Sequence, residues 1–443
     1  MPHAADDASV AGAGSASVDV VGAGALRADG ASCAGAGRPR GREGGDDGRV
    51  AWGLRRLARN MADLWVPSQV PRRPLRTMSL LEFVRDFVAV SQPVVLTGLA
   101  PRDWPCLRRW TDEYLLATVG DEVVSVNVTP GGFGDFVDAE GRFVKPVEER
   151  MRFRDFWAAL DDGQAVAEAA GVPYLSQQND SLRQELPALT ADAPAALPLG
   201  EAAFGNAPEA VNLWIGDGRA VSSCHKDHYE NLYAVVRGEK VFTLLPPSAA
   251  PFLREQRCPP ARFARCQGGG FEVELDAEAA DLVPWVPIDV VRPDLLRFPE
   301  FAAVAGCALE VRVRPGEMLY LPAMWYHQVA QEGITVAVNY WHDMQFGHLY
   351  VHTQFVRDVA GLSAGDAIDR DSDDEDDVDA HAEVGDGDVG DGDGCDGDGD
   401  GAGEGLAPAQ AASAALEPPG ASTPRNPPRA MSLSHGGERC GEG

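Results

Sequence analysis

The sequence lacks any cysteine pattern that would support a disulfide framework or a thiolate metal site. Eight cysteines occur among 443 residues, and none forms a Cys-x-x-Cys motif or another paired spacing. Unpaired cysteine usage of this kind is typical of proteins in a reducing compartment. We therefore predict a cytoplasmic protein, with the nucleus as a second location.

Long apolar runs are also missing. No stretch approaches the roughly 20 residues needed to span a bilayer, and the first residues contain Asp6, Asp7 and Asp19 in place of an apolar signal core. We expect no membrane anchor, secretion signal or organelle transit peptide. Basic residues form no stripe, so we expect no direct nucleic-acid binding.

Both ends of the chain are poor in large apolar side chains. Residues 1–50 are rich in Ala and Gly, and residues 364–443 are rich in Asp, Gly and Ala. Such segments bury too little surface to offset chain entropy, so we predict a disordered lead and a disordered acidic tail. From residue 361 onward there are 21 acidic and four basic side chains. This charge indicates either a solvated, self-repelling tail or an arm that binds a basic partner.

The residues between these ends change character once. Residues 51–170 show helical periodicity mixed with short strands, and Ser79 with Glu82 forms a capping-box pattern. Residues 171–346 contain short apolar strands separated by Gly and Pro, which is typical of an antiparallel barrel or sandwich. We predict a tight hairpin at Arg237-Gly238-Glu239 between two of the strands. The predicted strands are Val211–Ile215, Ala220–Cys224, Leu232–Val236, Lys240–Leu245, Leu309–Val313, Met318–Leu321 and Ile334–Trp341.

The strongest chemical signal is a pair of distant motifs. His225-Lys226-Asp227 comes at the end of a predicted strand, and His327 follows about a hundred residues later. Alternate side chains of a strand share a face, so His225 and Asp227 can reach one metal ion. With no thiolate or further histidine nearby, a two-histidine, one-carboxylate set favours Fe(II) over zinc. The alternative interpretation of an isolated His-x-Asp triplet is a surface accident.

A lysine on a later strand adds to this signal. Lys240 precedes the apolar run Val241-Phe242-Thr243-Leu244-Leu245. A buried lysine needs an anion, and the distal carboxylate of 2-oxoglutarate is a suitable one. The alternative is an exposed lysine in a turn.

These segments resemble the jumonji-C, cupin-like 2-oxoglutarate oxygenases, and within that family a lysyl hydroxylase. The resemblance covers about residues 52–346 and includes residues 225–233, 316–323 and 338–341. It implies a fold that is mainly β with flanking helices, a double-stranded β-helix of the cupin or jelly-roll type. It implies iron ligands and 2-oxoglutarate contacts at matching positions. The implied ligands are His225, Asp227 and His327, and the implied cosubstrate contacts are Lys240, Ser222, Tyr174, Asn231, Asn339 and Trp341.

The same resemblance implies an activity and partners. Fe(II), 2-oxoglutarate and O₂ would support hydroxylation at C-3 of a lysine in a translation-associated GTPase. Residues 347–363 would form a C-terminal helix, with Leu349, Phe355 and Val359 apolar, that pairs two copies as a homodimer. Two further functions are open: an oxygenase or peptidase acting on histone tails, by demethylation or cleavage, and a non-catalytic cupin-like binding module.

Overall fold

The computed structural model describes residues 46–160, 170–277, 279 and 281–362. The chain divides into two units, Met1–Ala51 and Trp52–Gly443. Of the first unit the structure describes residues 46–51, which are helical although 46–50 were assigned to the disordered lead. The rest of that lead and the acidic tail lie outside the described residues, so their predicted disorder stays a prediction.

The helices flank the strands, and two of them continue into a π-helical turn, at Met61–Trp65 and Val84–Val88. Short 3₁₀ helices occur at Leu75–Thr77, Pro187–Leu189, Pro247–Phe252, Pro299–Ala303 and Ala305–Cys307. The α-helices are α1 (Asp46–Asn60), α2 (Leu80–Phe83), α3 (Cys106–Arg109), α4 (Asp112–Val119), α5 (Phe153–Ala159), α6 (Ser181–Gln184), α7 (Pro198–Phe204) and α8 (His348–Val359).

The start of α2 follows from its sequence. The Ser79 hydroxyl accepts a hydrogen bond from the backbone N–H of Glu82, and the Glu82 carboxylate accepts one from the backbone N–H of Ser79. This reciprocal pair satisfies two backbone donors that a helix start leaves open. The predicted capping box is confirmed.

The strands are β1 (Arg72–Pro74), β2 (Val94–Thr97), β3 (Val123–Thr129), β4 (Phe133–Gly134), β5 (Phe136–Val137), β6 (Phe143–Lys145), β7 (Val147–Arg152), β8 (Val172–Tyr174), β9 (Ala210–Gly216), β10 (Val221–His225), β11 (Tyr229–Leu245), β12 (Gln256–Cys258), β13 (Pro260–Arg265), β14 (Phe271–Leu275), β15 (Val283–Trp285), β16 (Leu309–Val313), β17 (Glu317–Leu321) and β18 (Tyr326–Asp343). Nine of them form one sheet, along the path β1-β2-β17-β11-β18-β10-β4 with β16 beside β11 and β9 beside β18.

Two long strands organise that sheet. β11 and β18 run antiparallel along nearly their whole lengths. The first part of β11 pairs with β17 and its last part with β16, while β18 pairs with β10 near its start and β9 near its end. Each long strand therefore pairs with one strand over its first part and with a different strand over its last part. The result is the predicted cupin-type jelly roll, mainly β with flanking helices.

One local prediction is wrong. The chain does not reverse at Arg237-Gly238-Glu239, because β11 continues through these residues with β18 as its partner on both sides. The register shifts there, and Gly238 has a φ of +70°. A Cβ at Gly238 would lie 2.7 Å from the carbonyl oxygen of Ile334. Glycine is needed for a bulge within one bent strand.

The main core lies between the sheet and its helices. Phe83 of α2 is fully buried and packs edge-to-face on Tyr320 of β17, with ring centroids 5.1 Å apart. Phe204 of α7 stacks on the same tyrosine. A second apolar cluster fills the space between the bent halves of the sheet, and Tyr233, Phe242 and other side chains of β11 belong to it. The two clusters fix β11 from both faces.

The structure bears on two expectations from composition, and it does so for the described residues only. No helix among them combines the length and apolar character needed to cross a bilayer. Their five cysteines are free thiols: Cys106, Cys224, Cys258, Cys266 and Cys307.

Candidate active site

Two histidines face each other where β10 and β18 pair. His225 ends β10, and His327 is its direct partner near the start of β18. Asp227 lies just beyond β10, with carboxylate oxygens 3.9 Å from His225 Nε2 and 3.5 Å from His327 Nε2. One ligand atom of each residue lies within 4.8 Å of the other two. The structure thus brings together the three side chains that the sequence separates.

The hydrogen bonds of the histidines prepare them to bind a metal ion. His225 Nδ1 lies 2.7 Å from the carbonyl oxygen of Ser223, and His327 Nδ1 lies 3.0 Å from that of Trp325. A carbonyl oxygen only accepts, so each Nδ1 carries the proton and donates it. Each Nε2 then holds a free lone pair directed toward Asp227. This is how backbone partners orient metal-binding histidines.

Burial favours the neutral form of His327. Loss of solvent, assisted by the nearby His225, lowers the pKa of His327 to about 4. The imidazole is therefore neutral near pH 7, which is the form that binds metal ions. Two imidazoles and one carboxylate on one face fit Fe(II) and leave the opposite face open.

Lys240 lies deeper in the same barrel and has no anionic partner among the described residues. It is 1% exposed, and its ammonium donates to the hydroxyl of Tyr174 at 2.8 Å and to the side-chain oxygen of Gln331. Both acceptors are neutral. Burial lowers the pKa of Lys240 to about 7, because the charged form is costly in an apolar interior. Lys240 is therefore buried as predicted, the alternative of an exposed turn lysine is wrong, and the pocket suits an anion.

Tyr174 and Ser222 belong to this pocket. The side chain of Tyr174 hydrogen-bonds to those of Ser222 and Tyr233, and its ring lies 4.9 Å from the Lys240 ammonium. Burial raises the pKa of Tyr174, so its hydroxyl stays protonated and able to donate. The two hydroxyls and the ammonium form a set of donors of the kind that binds a carboxylate.

The remaining predicted contacts lie on the two long strands, Asn231 on β11 and Asn339 and Trp341 on β18. Asn339 accepts from the Trp214 indole at 2.9 Å and donates to Asn231 at 3.2 Å, so both amides are held in place. The ring of Trp341 stacks on Tyr229 with centroids 4.8 Å apart. Its buried indole N–H has no hydrogen-bond partner among the described residues. That unused donor is available to a bound ligand.

Comparisons with known proteins agree with this geometry. Residues 80–348 match the model of the cupin-like domain family. The human bifunctional peptidase and (3S)-lysyl hydroxylase JMJD7 is 40% identical over 313 residues, which cover 71% of this chain and 96% of that protein. The chain belongs to the cupin-like jumonji-C family.

Two further relatives cover similar parts of the chain. The lysine-specific demethylase JMJ32 of Arabidopsis thaliana is 36% identical over 330 residues, 68% of this chain and 92% of the relative. The JmjC domain-containing protein E of Dictyostelium discoideum is 32% identical over 327 residues, with the same coverage of 68% and 92%. Jumonji-C proteins are Fe(II)- and 2-oxoglutarate-dependent oxygenases, in agreement with the donor set described above.

Gln331 is a residue of the jumonji-C site that motif reasoning missed. It accepts from Lys240, and its side-chain N–H donates to the carbonyl oxygen of Asp217 at 2.7 Å. Gln331 follows His327 by four residues on one strand, so the two side chains point to the same face. Strand alternation could have identified it.

Asp135 and Trp285 are two further site residues that motif reasoning missed, because no sequence spacing links them to the motifs. Trp285 stacks on the His225 imidazole, with centroids 5.7 Å apart and planes 6° from parallel, and donates to the Ser223 hydroxyl. That hydroxyl donates to the backbone carbonyl of Asp135. The Asp135 carboxyl is close enough to His225 for their charges to interact, and burial raises its pKa. No described residue forms a hydrogen bond or ion pair with it, although Lys145 acts on it at longer range.

A second acidic group lies near Tyr229. Glu209 and Asp343 are exposed, and their carboxyls interact with each other and with the Tyr229 hydroxyl. Burial, together with the neighbouring Asp343, raises the pKa of Glu209. Tyr229 is also close enough to Asp227 to be affected by its charge. Carboxyl groups thus occur close to His225 and close to Tyr229.

Proposed function

We propose that this protein is an Fe(II)- and 2-oxoglutarate-dependent protein hydroxylase that acts on a lysine side chain. The observation that supports it most is the pairing of two sites in one barrel. His225, Asp227 and His327 offer a metal-binding face, and Lys240 offers a buried cation that lacks an anion. A metal ion alone would occupy only the site formed by His225, Asp227 and His327. A dicarboxylate that binds both the metal ion and Lys240 accounts for the two sites together.

In this proposal each residue has a defined task. His225, Asp227 and His327 hold Fe(II), while Lys240, Tyr174 and Ser222 bind the distal carboxylate of 2-oxoglutarate. Asn231, Asn339 and Trp341 form the polar and aromatic wall between them. Bound together, Fe(II), 2-oxoglutarate and O₂ supply hydroxylation of a C–H bond with release of succinate and CO₂. The buried walls around them exclude water from that chemistry.

The lysine assignment has two supports. The human relative is named a (3S)-lysyl hydroxylase, which makes C-3 of lysine the proposed position. The carboxyl groups of Asp135, close to His225, and of Glu209 and Asp343, close to Tyr229, are hydrogen-bond acceptors that suit an ammonium group. We further propose that the lysine belongs to a translation-associated GTPase.

The experiment that tests this function is turnover of Fe(II)-loaded full-length protein on lysine peptides with 2-oxoglutarate, read by mass spectrometry. We expect a gain of one oxygen atom on an unmethylated lysine, and none with His225→Ala. The Arabidopsis relative is named a lysine-specific demethylase and the human one a peptidase as well. Formaldehyde from methylated peptides would favour demethylation, and shortened peptides would favour cleavage. Absence of any 2-oxoglutarate turnover would leave only a binding module, with the acidic tail as its arm for basic partners.

We also propose a homodimer formed through α8. Its outward side chains include Leu349, Val351, Phe355 and Val359, and Phe355 is 62% exposed. An apolar stripe of this kind on one helix suits a second copy of itself. We expect Phe355→Glu to halve the mass measured by light scattering, and Leu296→Glu, at another exposed apolar residue, to leave it unchanged. An unchanged mass in both variants would contradict the dimer.

A cytoplasmic location, with some protein in the nucleus, belongs to the same proposal. It agrees with a protein substrate of the translation machinery. Imaging of the tagged full-length chain tests it, and accumulation in a secretory compartment would contradict it.

A further inference from the structure

One buried carboxylate connects both sides of the metal-binding face. Glu255 lies between the 3₁₀ helix Pro247–Phe252 and β12, and its side chain is 4% exposed. It accepts from the Lys226 ammonium at 3.1 Å and from the Tyr326 hydroxyl at 3.0 Å. Lys226 stands between His225 and Asp227, and Tyr326 immediately precedes His327. A single group therefore holds a chain neighbour of all three side chains.

The segment that carries Asp227 needs such support. Residues 226–228 lie between β10 and β11, outside the ladder that fixes the two histidines. The backbone carbonyl of Asp227 accepts from the N–H of Met324 at 2.8 Å. The backbone carbonyl of His228 accepts from the N–H of Met344 at 3.2 Å. The bond from Lys226 to Glu255 adds a side-chain contact to the same segment. Without it the segment that carries Asp227 would be held by these backbone hydrogen bonds.

Helix α8 completes the arrangement. Arg357 is 5% exposed and donates to both carboxylate oxygens of Glu255, at 2.6 and 2.8 Å. Burial alone would raise the pKa of Glu255, but the charges of Lys226 and Arg357 lower it to about 2. The carboxylate is therefore ionised at neutral pH. Two-point pairing of this kind fixes geometry as well as charge.

We propose that Glu255 and Arg357 are positioning residues for the metal site, so that α8 forms part of the active site although it supplies no ligand. This inference rests on the proposed function, because it assumes that His225, Asp227 and His327 bind a metal ion. Lys226, Tyr326 and Arg357 would transmit the position of α8 to the ligands. Glu255 also offsets part of the positive charge of Lys226 and Arg357 next to a site for a metal cation.

The charge argument makes the effect of a substitution specific. Glu255→Gln keeps the size of the side chain and removes its charge. Lys226 and Arg357 would then lose the carboxylate that they share, and a looser Asp227 would weaken metal binding. Loss of partners that orient metal ligands typically lowers metal affinity by about 10- to 100-fold. Glu300→Gln is the matched control, because Glu300 belongs to an exposed ion pair with Arg254.

The experiment is titration of metal-free full-length protein with Co(II), followed by visible absorption, beside a measurement of the free energy of unfolding. We expect Glu255→Gln to bind Co(II) about 10- to 100-fold more weakly than the unsubstituted protein, with altered bands. Glu300→Gln should be unchanged. Arg357→Lys, which keeps the charge but not the two-point pairing, should fall between them.

Two outcomes separate this inference from the function beneath it. If the unsubstituted protein binds no Co(II) and His225→Ala makes no difference, the metal site itself is refuted. If the unsubstituted protein binds Co(II) and a folded Glu255→Gln variant binds it equally well with the same spectrum, only the positioning role is refuted. A lower free energy of unfolding with unchanged metal affinity would assign Glu255 to the stability of the fold alone.

Discussion

Lys240 and Arg357 are both buried cations of the same domain, and they differ in what surrounds them. Arg357 meets an ionised carboxylate at two points. Lys240 meets a phenol and an amide, both neutral. Arg357 therefore has its counter-ion within the protein. Lys240 has no such counter-ion among the described residues, which lowers the stability of the fold, and an anionic ligand would supply the missing negative charge.

Asp135 is the acidic counterpart of Lys240. Its carboxyl near His225 has no ion pair among the described residues, as Lys240 has none. Among the described residues, Lys240 therefore lacks an anion and the Asp135 carboxyl lacks a cation at ion-pair distance. A dicarboxylate cosubstrate and an ammonium-bearing substrate are complementary to these two groups. The contrast between Lys240 and the Arg357–Glu255 pair predicts opposite responses to substitution and pH responses in different ranges.

The largest effect is expected for Arg357→Met. Breaking a buried ion pair from one side leaves Glu255 with a reduced set of partners, and such changes cost about 3–5 kcal/mol. Chemical denaturation measures this loss. Adding Glu255→Gln should cost less than the sum of the two single changes, because the residues act on each other. Strict additivity would contradict the coupling.

Lys240→Met should behave in the opposite way. The free energy of unfolding without ligand should not fall, since a buried charge disappears. Binding of 2-oxoglutarate should weaken by about 2–5 kcal/mol, or at least thirtyfold, because one member of a buried charge pair is lost. Calorimetric titration of the metal-loaded protein measures it. A variant as unstable as Arg357→Met with unchanged 2-oxoglutarate affinity would overturn the assignment.

Changes of pH should separate the two cations as well. The pKa of Lys240 is lowered by burial to about 7, while an unfolded lysine has a pKa of about 10.4. Between these values the unfolded chain holds more protons, so the Lys240 contribution makes the fold more stable as pH rises, by up to about 1.4 kcal/mol per unit. The difference between the unfolding profiles of the unsubstituted and Lys240→Met proteins at pH 7–10 isolates it. A flat difference would contradict the lowered pKa.

Glu255 should give a dependence of the same sign in a lower pH range. Its pKa is lowered to about 2, against about 4.3 in an unfolded chain. Its contribution is therefore complete above about pH 4.3 and is lost as the pH falls toward 2. The Glu255→Gln protein provides the reference profile.

The smallest effect is expected at the rim. Asp135→Asn should raise KM for a lysine peptide about tenfold, the equivalent of one modest charge contact, and leave the affinity for 2-oxoglutarate unchanged. Steady-state kinetics with each substrate varied separately measures both. An unchanged KM for the peptide would remove Asp135 from substrate recognition.

Strand alternation and turn residues predicted much of the fold. Leu309–Val313 is confirmed at both ends, and Val211–Ile215 differs by one residue at each end. Gly238 was misinterpreted because a glycine with positive φ serves a hairpin and a bulge equally well. Only the pairing of both halves of β11 with β18 separates these cases, and that information lies in residues about a hundred positions away.

The residues of the candidate site also differ in whether the sequence alone reveals them. The two histidines, Asp227 and Lys240 are visible in the sequence because motif and strand position coincide. Glu255 and Trp285 come from a connecting segment and a three-residue strand, where periodicity carries no signal. Their proximity to the motifs depends on how separate parts of the chain pack. Arg357 was placed on the predicted last helix, yet nothing local indicates that it points inward.

The bulge at Gly238 changes which side chains of β11 face the interior of the barrel. Before it, odd-numbered side chains such as Asn231 and Tyr233 face the interior, and after it the even-numbered Lys240 and Phe242 do. The register irregularity between Val235 and Glu239 changes the parity of β11. Deleting one residue there would turn the Lys240 ammonium outward. Under the proposed function, a single-codon deletion that removes no ligand-binding side chain would thus abolish 2-oxoglutarate binding.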